Sequence, residues 1–428
     1  MLNKIMHLSA VDFGGAGKAA YRLHSYLSKA GFDSRFLVGR SQTGDNEVVQ
    51  ASKKGLNKKS KIIFSKIWHK LTGNNDYYFQ NQHVSTFDSD ATSGDGFIPD
   101  LIMVYSMSGF VSFDDLGDLF AQYNAPIILY LMDMAPLTGG CHYAWDCLKY
   151  VKSCGDCPAL LMSHEKDLSH STMLNKKSIM QRSNIEVLAA SSWLYNQARI
   201  SSLYKKSQID LLLLSVDDDI FHPIKSVACR EKLREKLGIP IGKKVVFFGN
   251  QSLKLKRKGI KALDEAFHIL AKNKIIRNDE LLVLIAGNKD IEFEWPYQTR
   301  FLGFLNSEKD LAEAYQASDL FLCPSIEDSG PMMINESIMC GVPVVCFDMG
   351  VAADLVINLQ TGFVAELGNS RQLAVGIETI LQLTAQEKEL MDNKCRKLAL
   401  SKCHPSVSVE WIQQRLGRET NRLSDAHI

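Results

Sequence analysis

The sequence of 428 residues has no apolar run long enough to cross a membrane. Its longest purely apolar stretches, such as Leu211 to Leu214, fall far short of the ~20 residues that a spanning helix needs. The segment from Met1 to Ala10 is too short and too polar for the apolar core of a signal peptide. We therefore expect a cytoplasmic protein, with peripheral attachment to the inner face of the membrane as an open alternative.

An excess of charge of either sign is also missing. Lysine and arginine number 49 against 48 acidic residues, and the formal net charge is +1. This balance excludes a chain-wide field of the kind that attracts nucleic acid, so no nucleic-acid partner is expected. Hydrophobic residues make up 46% and charged residues 23%, which is typical of a globular protein, and the length suits two domains of about 200 residues each.

Apolar runs alternate with helical patterns in two series. The first series opens with an apolar run at Lys4–Leu8, followed by a glycine loop at Gly14–Gly17 and a helical pattern that stops at Gly31. This order of strand, glycine loop and helix opens a doubly wound parallel sheet. A second series begins with the apolar run Lys243–Gly249.

The break between the two series, near residues 205–225, indicates two Rossmann-like α/β domains. The C-terminal stretch has helical patterning and no strand signal. We expect three segments, at 1–208, 209–385 and 386–428.

The segment 52–71 is strongly basic. It contains seven lysines, with apolar residues from Ile63 to Leu71 on one helical face between them. A basic amphipathic helix can lie in an anionic membrane interface. The alternative is a surface helix whose apolar face packs on its own domain.

Two neighbouring acidic residues, Glu327 and Asp328, follow an apolar strand pattern and precede a loop loosened by Gly330. A helical pattern then begins, with Glu336 in or near its first turn. Because a helix N-terminus presents free N–H groups and favours anions, this loop predicts a seat for a diphosphate. A carboxylate just inside the helix can accept hydrogen bonds from ribose hydroxyls.

This stretch resembles the donor loop of the family 4 retaining glycosyltransferases, in particular their bacterial polysaccharide branch. The family has two acidic residues separated by seven others, and Asp328 and Glu336 have that separation. The resemblance implies the GT-B fold, with two Rossmann-like domains facing each other across a cleft and C-terminal helices returning to the N-terminal domain. It also implies that Glu336 binds the donor ribose and that the first acid contacts the transferred sugar. Either Glu327 or Asp328 can be that first acid.

Lys258 and Gly259 resemble the pair that clamps the donor diphosphate in this family. The arginine that often precedes them is missing, and Arg257 is a candidate substitute. A fixed cation is needed there because the leaving diphosphate gains negative charge. The resemblance gives further donor-binding candidates at Gly14, Gly15, Gly17, Phe304, Gly330, Met332, Met333 and Ile334.

Asp133 lies in a segment, from Met132 to Tyr143, that is similar to one in the same branch. The branch commonly has a histidine where this chain has Met132, so the expected histidine is missing. The resemblance implies that Asp133 orients an acceptor hydroxyl. The alternative is that Asp133 caps a loop.

Four cysteines follow with five, six and two residues between them: Cys141, Cys147, Cys154 and Cys157. One Cys-x-x-Cys knuckle and two further thiols predict a tetrahedral structural zinc site, and the branch has a similar insert. Free thiols and a redox-sensitive pair remain alternatives. A catalytic metal is not expected, because four thiolates leave no open position.

The resemblance implies a retaining, hexosyltransferase-type enzyme that moves a sugar from a nucleotide-sugar donor to a glycan or lipid-linked glycan in surface polysaccharide or lipopolysaccharide biosynthesis. Catalysis would need no cofactor. The candidate catalytic residues are Lys258, Glu327, Asp328 and Asp133. Two alternatives remain: a phosphorylase or epimerase of the same architecture, and a non-catalytic relative that binds sugar nucleotides.

Overall fold

The computed structural model describes residues 2–52, 75–92, 96–288 and 294–425. The predicted basic helix at 52–71 lies outside the described residues, except for Ser52. The chain divides into two compact units, one formed by Met1–Leu213 with Pro405–Ile428 and the other by Leu214–His404. None of the helices in the described part of the chain combines the length and hydrophobicity that a bilayer span requires.

The first unit is built on a parallel sheet of seven strands in the order β3-β2-β1-β4-β5-β6-β7. The strands are β1 (Lys4–Val11), β2 (Asp33–Arg40), β3 (Val48–Gln50), β4 (Leu101–Val104), β5 (Ile127–Leu131), β6 (Ile185–Ala189) and β7 (Ile209–Leu211). Strands β1, β4 and β5 are buried along most of their length, as in a sheet covered on both faces. The strand order reverses between β1 and β4, and ligands of such sheets bind outside the carboxyl ends of the strands at this point.

The longer helices of the first unit are Gly14–Lys29, Phe113–Tyr123, Leu168–Arg182, Ser192–Ile200 and Pro405–Asp425. Ser112, Asp167 and Ser191 accept backbone hydrogen bonds as their N-caps. The C-terminal helix returns to the first unit as expected, where Arg415 Nε donates to Glu186 Oε2 at 2.8 Å. The predicted segment 386–428 is therefore shared between the two units.

The second unit has a parallel sheet of six strands in the order β10-β9-β8-β11-β12-β13. The strands are β8 (Lys244–Ser252), β9 (Leu281–Asn288), β10 (Gln298–Gly303), β11 (Leu320–Cys323), β12 (Val344–Phe347) and β13 (Gly362–Ala365). Its helices are Val227–Lys236, Ile260–Asn273, Glu308–Ala317, Met332–Met339, Ala352–Leu355, Ser370–Leu381 and Ala385–Cys403. The strand order reverses between β8 and β11. The two parallel α/β units confirm the predicted fold class.

The N-terminal glycines differ from the expected loop, because the first helix already begins at Gly14. A Cβ atom added to Gly17 would lie 2.6 Å from the Val11 carbonyl oxygen, so this glycine lets the helix pack closely against the end of β1. Added Cβ atoms at Gly14 and Gly15 would meet no atom within 4 Å. Gly17 thus has a packing role, whereas the space beside Gly14 and Gly15 is open.

Two histidines are buried side by side in the first unit. The rings of His7 on β1 and His24 on the first helix have centroids 5.6 Å apart. His7 Nδ1 bonds the Tyr105 hydroxyl at 2.6 Å, and His24 Nδ1 bonds the Ser34 hydroxyl at 2.8 Å. Burial lowers the pKa of His24 to about 4, and burial together with the charge of His24 lowers the pKa of His7. Both rings are therefore neutral in the folded protein at pH 7.

This pair predicts acid sensitivity. The folded pKa of His24 lies below the unfolded value of 6.5, so the unfolded chain binds the proton more tightly. The free energy of unfolding should be unaffected by His24 above pH ~6.5 and should fall as the pH drops toward 4, by roughly 3 kcal/mol in total. Urea unfolding of His24→Gln should show a smaller loss between pH 7 and pH 4.5 than the wild type. His268→Gln, at an exposed position, is the control. An equal loss in all three proteins would contradict this prediction.

Candidate functional site

A tight turn follows β8 and leads into the helix Ile260–Asn273. Lys256–Lys258 form a 3-10 turn, and Gly259 ends it with a φ of 68°. A Cβ atom at Gly259 would lie 1.7 Å from the Pro324 carbonyl oxygen. Only glycine fits this close approach, so the turn is pressed against the end of β11.

Backbone hydrogen bonds tie the same turn to the acidic loop. The Arg257 carbonyl accepts from Ile326 N at 2.8 Å and from Glu327 N at 3.3 Å. Strands β8 and β11 are direct neighbours, so the segments that follow them meet at the carboxyl edge of the sheet. The cations of the turn and the acids of the loop are thus brought together at the point where the strand order reverses.

Arg257, Lys258 and Asp328 form what we call the charge cluster. Lys258 Nζ lies 2.5 Å and Arg257 Nη1 3.0 Å from Asp328 Oδ2. Burial raises the pKa of the Asp328 carboxyl, but the charges of Lys258 and Arg257 lower it by more. The net pKa therefore lies below the ordinary value. Asp328 is therefore ionised at neutral pH, and the cluster carries one positive charge in excess. That Arg257 substitutes for the missing upstream arginine stays a prediction.

The two other acids of the loop and helix are also buried. Glu327 is 5% exposed and Glu336 4%. Glu336 is the fifth residue of the helix Met332–Met339, and its Oε2 accepts a hydrogen bond from the Tyr315 hydroxyl at 3.3 Å. Of the two candidates for the first acid, Asp328 contacts the cations. The assignment of roles to Glu327, Asp328 and Glu336 stays a prediction.

The N-terminus of the helix Met332–Met339 carries no side-chain cap, and Gly330 N donates to Asp328 Oδ1 at 3.3 Å. Met332 and Met333 are half-buried, whereas Ile334 is fully buried. A Cβ atom at Gly249, near the end of β8, would lie 2.4 Å from the Met333 methyl group. Gly330, Met332 and Met333 therefore belong to the same strand edge as the charge cluster, and Ile334 packs in the core.

Phe304 is not part of the cluster. It follows β10 at the edge of the sheet and is 50% exposed. Three strand spacings separate β10 from β11, which at ~4.8 Å each amount to about 14 Å. Phe304 shares the carboxyl edge with the charge cluster and is too distant for contact with it.

The first unit brings Asp133 to a histidine that sequence reasoning missed. Asp133 follows β5, and its Oδ2 lies 3.1 Å from His142 Nδ1. Its Oδ1 accepts from Ala135 N at 2.7 Å, so Asp133 also caps its own turn. Burial would raise the pKa of Asp133, but His142 and the Ala135 N–H lower it, and the net pKa is below the ordinary value. A histidine from the Gly-Gly-Cys-His stretch, His142, thus contacts Asp133, although the sequence has no histidine at Met132.

The four clustered cysteines line one small cavity, together with Lys149, Tyr150 and Ser169. Burial raises the pKa of Cys154 to about 12 and raises those of Cys141 and Cys157, so these thiols are neutral at pH 7. Within the described residues, no three or more His, Cys, Asp or Glu side chains are grouped closely enough to hold a metal ion. The four thiols thus line one cavity, and in their described positions they do not form a metal-coordination site, so the zinc site stays a prediction.

Residues 229–397 match the family model described as glycosyl transferases group 1. The matched region lies inside the second unit and covers less than half of the chain. By sequence, none of the curated proteins compared with the chain matches it.

Solved structures share the fold over nearly the whole chain. Sucrose-phosphate synthase from Thermosynechococcus elongatus is 15% identical with a TM-score of 0.66, covering 99% of this chain and 100% of its own. Anabaena Alr3699/HepE in complex with UDP-glucose is 15% identical with a TM-score of 0.63, covering 97% and 99%. WaaG, a glycosyltransferase involved in lipopolysaccharide biosynthesis, is 14% identical with a TM-score of 0.58, covering 95% and 98%. The fold is GT-B, and the comparisons support a sugar-transferring enzyme.

The close approach at Gly259 gives a testable prediction. Gly259→Ala should destabilise the second unit by more than ~3 kcal/mol, because positive φ and the clash with the Pro324 carbonyl act together. Gly303→Ala is the matched control, since Gly303 has a φ of 73° and open space around an added Cβ. The control should cost only about 1 kcal/mol. Equal costs in urea unfolding would show that the turn does not depend on this contact.

Proposed function

We propose that the protein is a glycosyltransferase that takes a sugar from a nucleotide-sugar donor held by the second unit. The observation that carries this proposal is the charge cluster at the carboxyl edge of the second sheet. Lys258 and Arg257 are both fixed by Asp328, with contacts of 2.5 and 3.0 Å. A diphosphate is the ligand that two fixed cations at such an edge fit best.

The cluster can act on the departing diphosphate. Negative charge builds up on the leaving phosphate as the bond to the sugar breaks, and cations already in place stabilise it without reorganisation. Arg257 offers a planar fork and Lys258 a point charge, so the pair combines geometry with charge. The uncapped N-terminus of the helix Met332–Met339 adds backbone N–H groups that favour the same anion.

The remaining donor contacts follow from position. Phe304 is an exposed aromatic ring at the same edge, about three strand spacings from the cluster, which suits contact with the base. Glu336 is proposed to bind the ribose, and Asp328 or Glu327 the transferred sugar. Metal-free transfer is proposed, because Lys258 and Arg257 supply the positive charge.

The finer assignments are also proposals. Membership of the family 4 retaining group and of its polysaccharide branch, with hexose transfer to a glycan or lipid-linked glycan, is supported by the sequence resemblance of the donor loop. The names of the similar structures agree, since one was solved with UDP-glucose and another acts in lipopolysaccharide biosynthesis. The basic segment 52–71 is proposed to attach the protein to an anionic inner membrane surface.

We also propose that the four clustered cysteines bind a structural zinc ion, supported by their shared cavity and the Cys-x-x-Cys spacing. The ion would order the loop that carries them. The expected result is near one zinc per chain in anaerobically purified protein, and less in Cys154→Ser and Cys157→Ser. Cys229→Ser is the control, because Cys229 is exposed and lies outside the cluster. Zinc far below one per chain in the wild type would contradict the proposal.

Donor binding and turnover test the main proposal. The wild type should be thermally stabilised by one class among UDP-, GDP- and ADP-sugars. Lys258→Ala should lower donor turnover about 100-fold, because the fixed charge on the leaving phosphate is lost. Folding should survive, since Asp328 keeps its contact with Arg257.

Lys261→Ala is the matched control, because Lys261 is an exposed lysine in the next helix. It should keep the wild-type rate. Full turnover by Lys258→Ala would refute the assignment of the cluster. Donor binding without any turnover would instead favour a non-catalytic relative, and phosphate-dependent release of the sugar would favour a phosphorylase.

A further inference from the structure

Three polar side chains of the first unit form a continuous hydrogen-bonded chain. Ser108 Oγ lies 2.7 Å from His142 Nε2, and His142 Nδ1 lies 3.1 Å from Asp133 Oδ2. Ser108 follows β4 and Asp133 follows β5, so two neighbouring strands deliver them to the same sheet edge. This edge adjoins the point where the strand order reverses, at which ligands of such sheets bind.

Backbone hydrogen bonds hold the middle of this chain. His142 N donates to the Tyr77 carbonyl at 3.1 Å, and the His142 carbonyl accepts from Met134 N at 3.1 Å. Asp133 Oδ1 accepts from Ala135 N at 2.7 Å, which leaves Oδ2 for the imidazole. The ring and the carboxylate are thus oriented before any ligand arrives.

The turn that carries Ser108 is fixed in the same way. Phe110 N donates to the Met107 carbonyl at 2.9 Å, and the Thr86 hydroxyl donates to the Gly109 carbonyl at 2.8 Å. A Cβ atom added to Gly109 would meet no atom within 4 Å, so the space beside this glycine is open. Ser108 itself is partly exposed.

The donors and acceptors fix the direction of the hydrogen bonds that connect these three side chains. An ionised Asp133 can only accept, so His142 in its neutral form carries its proton on Nδ1. Nε2 is then an acceptor, and the Ser108 hydroxyl donates a hydrogen bond to it. The lone pairs of Ser108 Oγ remain available, and the end of the chain is an acceptor that recognises an O–H donor.

We propose that Ser108 accepts a hydrogen bond from the attacking hydroxyl of a sugar acceptor, and that His142 and Asp133 position it. The inference rests on the proposed transferase function and names the acceptor site of that reaction. A hydrogen bond accepted from the attacking hydroxyl leaves the oxygen lone pairs free for the anomeric carbon. As that bond forms, the bond from the anomeric carbon to the donor diphosphate breaks, and the hydroxyl proton leaves with the diphosphate. Ser108 is then a substrate-binding residue, and His142 and Asp133 are positioning residues.

The same three residue types form the triad of serine hydrolases, but the local structure disfavours that role. In the α/β-hydrolases, which share a parallel sheet, a helix begins directly after the nucleophile and supplies an N–H group to the oxyanion. Here the next helix begins only at Phe113, and Ser112 is its cap. A hydroxyl-binding site is therefore favoured over an ester-cleaving one.

Asp133→Asn should reverse the direction of the hydrogen bonds between Ser108, His142 and residue 133. The Ala135 N–H can only donate, so the carboxamide oxygen stays on it and the NH₂ group faces His142. The imidazole proton then moves to Nε2, which donates a hydrogen bond to Ser108 Oγ, and the Ser108 hydroxyl turns its proton toward the ligand. The attacking oxygen would have a lone pair engaged, so acceptor binding should persist while turnover falls about tenfold or more.

Histidine-labelled full-length protein tests the direction without a ligand. Two-bond ¹H–¹⁵N spectra should show the His142 proton on Nδ1 in the wild type and on Nε2 in Asp133→Asn, with His142→Gln identifying the signal. A wild-type proton on Nε2 would overturn the proposal. So would labelling of Ser108 by a fluorophosphonate, which would indicate an ester-cleaving triad.

A panel of methyl glycosides of glucose, galactose and mannose tests the binding. At least one should shift the His142 signals of the wild type, and Ser108→Ala should weaken that binding about fivefold to tenfold. Ser106→Ala, a serine replaced two positions away, should bind like the wild type. No shift with any glycoside, or unchanged binding by Ser108→Ala, would overturn the inference. Donor stabilisation measured on the same variants separates this failure from failure of the transferase function, because the charge cluster lies in the second unit.

Discussion

The candidate donor site depends on the close approach between the turn after β8 and the end of β11. Gly259 lies so near the Pro324 carbonyl that a Cβ atom would be 1.7 Å from its oxygen. The Arg257 carbonyl then receives two N–H groups of the acidic loop, and the side chains of Arg257 and Lys258 reach Asp328. About seventy residues separate the cations from the carboxylate in the sequence, so this close approach is what brings their side chains into contact.

Both units place their polar side chains by the same physical rule. In each sheet the strand order reverses once, and the loops after the two central strands leave from the same edge. In the second unit this edge carries the charge cluster. In the first unit the same edge carries Gly14 and Gly15 after β1. It also carries the hydrogen-bonded side chains of Ser108, which follows β4, and Asp133, which follows β5. Buried apolar strands thus act as the rigid support, and the chemistry lies in the loops.

Much of this could be predicted from the sequence. The apolar runs at Lys4–Leu8 and Lys243–Gly249 predict β1 and β8, and the acidic loop has its acids at a recognisable spacing. The short strand Val48–Gln50 and the mostly exposed strand Gln298–Gly303 were missed because they bury few side chains and leave little apolar signal. The first helix begins at Gly14, where a loop was expected, because glycine patterns do not distinguish a loop from a first helical turn.

The contact between Asp133 and His142 could not be predicted, because it depends on the backbone of Tyr77, far away in sequence. Spacing along an irregular loop carries no periodicity from which such a pairing can be inferred. Arg257 is a similar case. Its place beside Lys258 was visible in the sequence, and its bond to Asp328 depends on the turn geometry.

The most direct measurement is a calorimetric comparison of nucleotide binding. With the base that the protein prefers, the nucleoside diphosphate should bind at least tenfold more tightly than the monophosphate, because the second phosphate meets the cations of the charge cluster. The preference should disappear in the double variant with Arg257→Ala and Lys258→Ala. Equal affinity of the wild type for the two nucleotides would show that the cluster does not hold a diphosphate and would contradict the account.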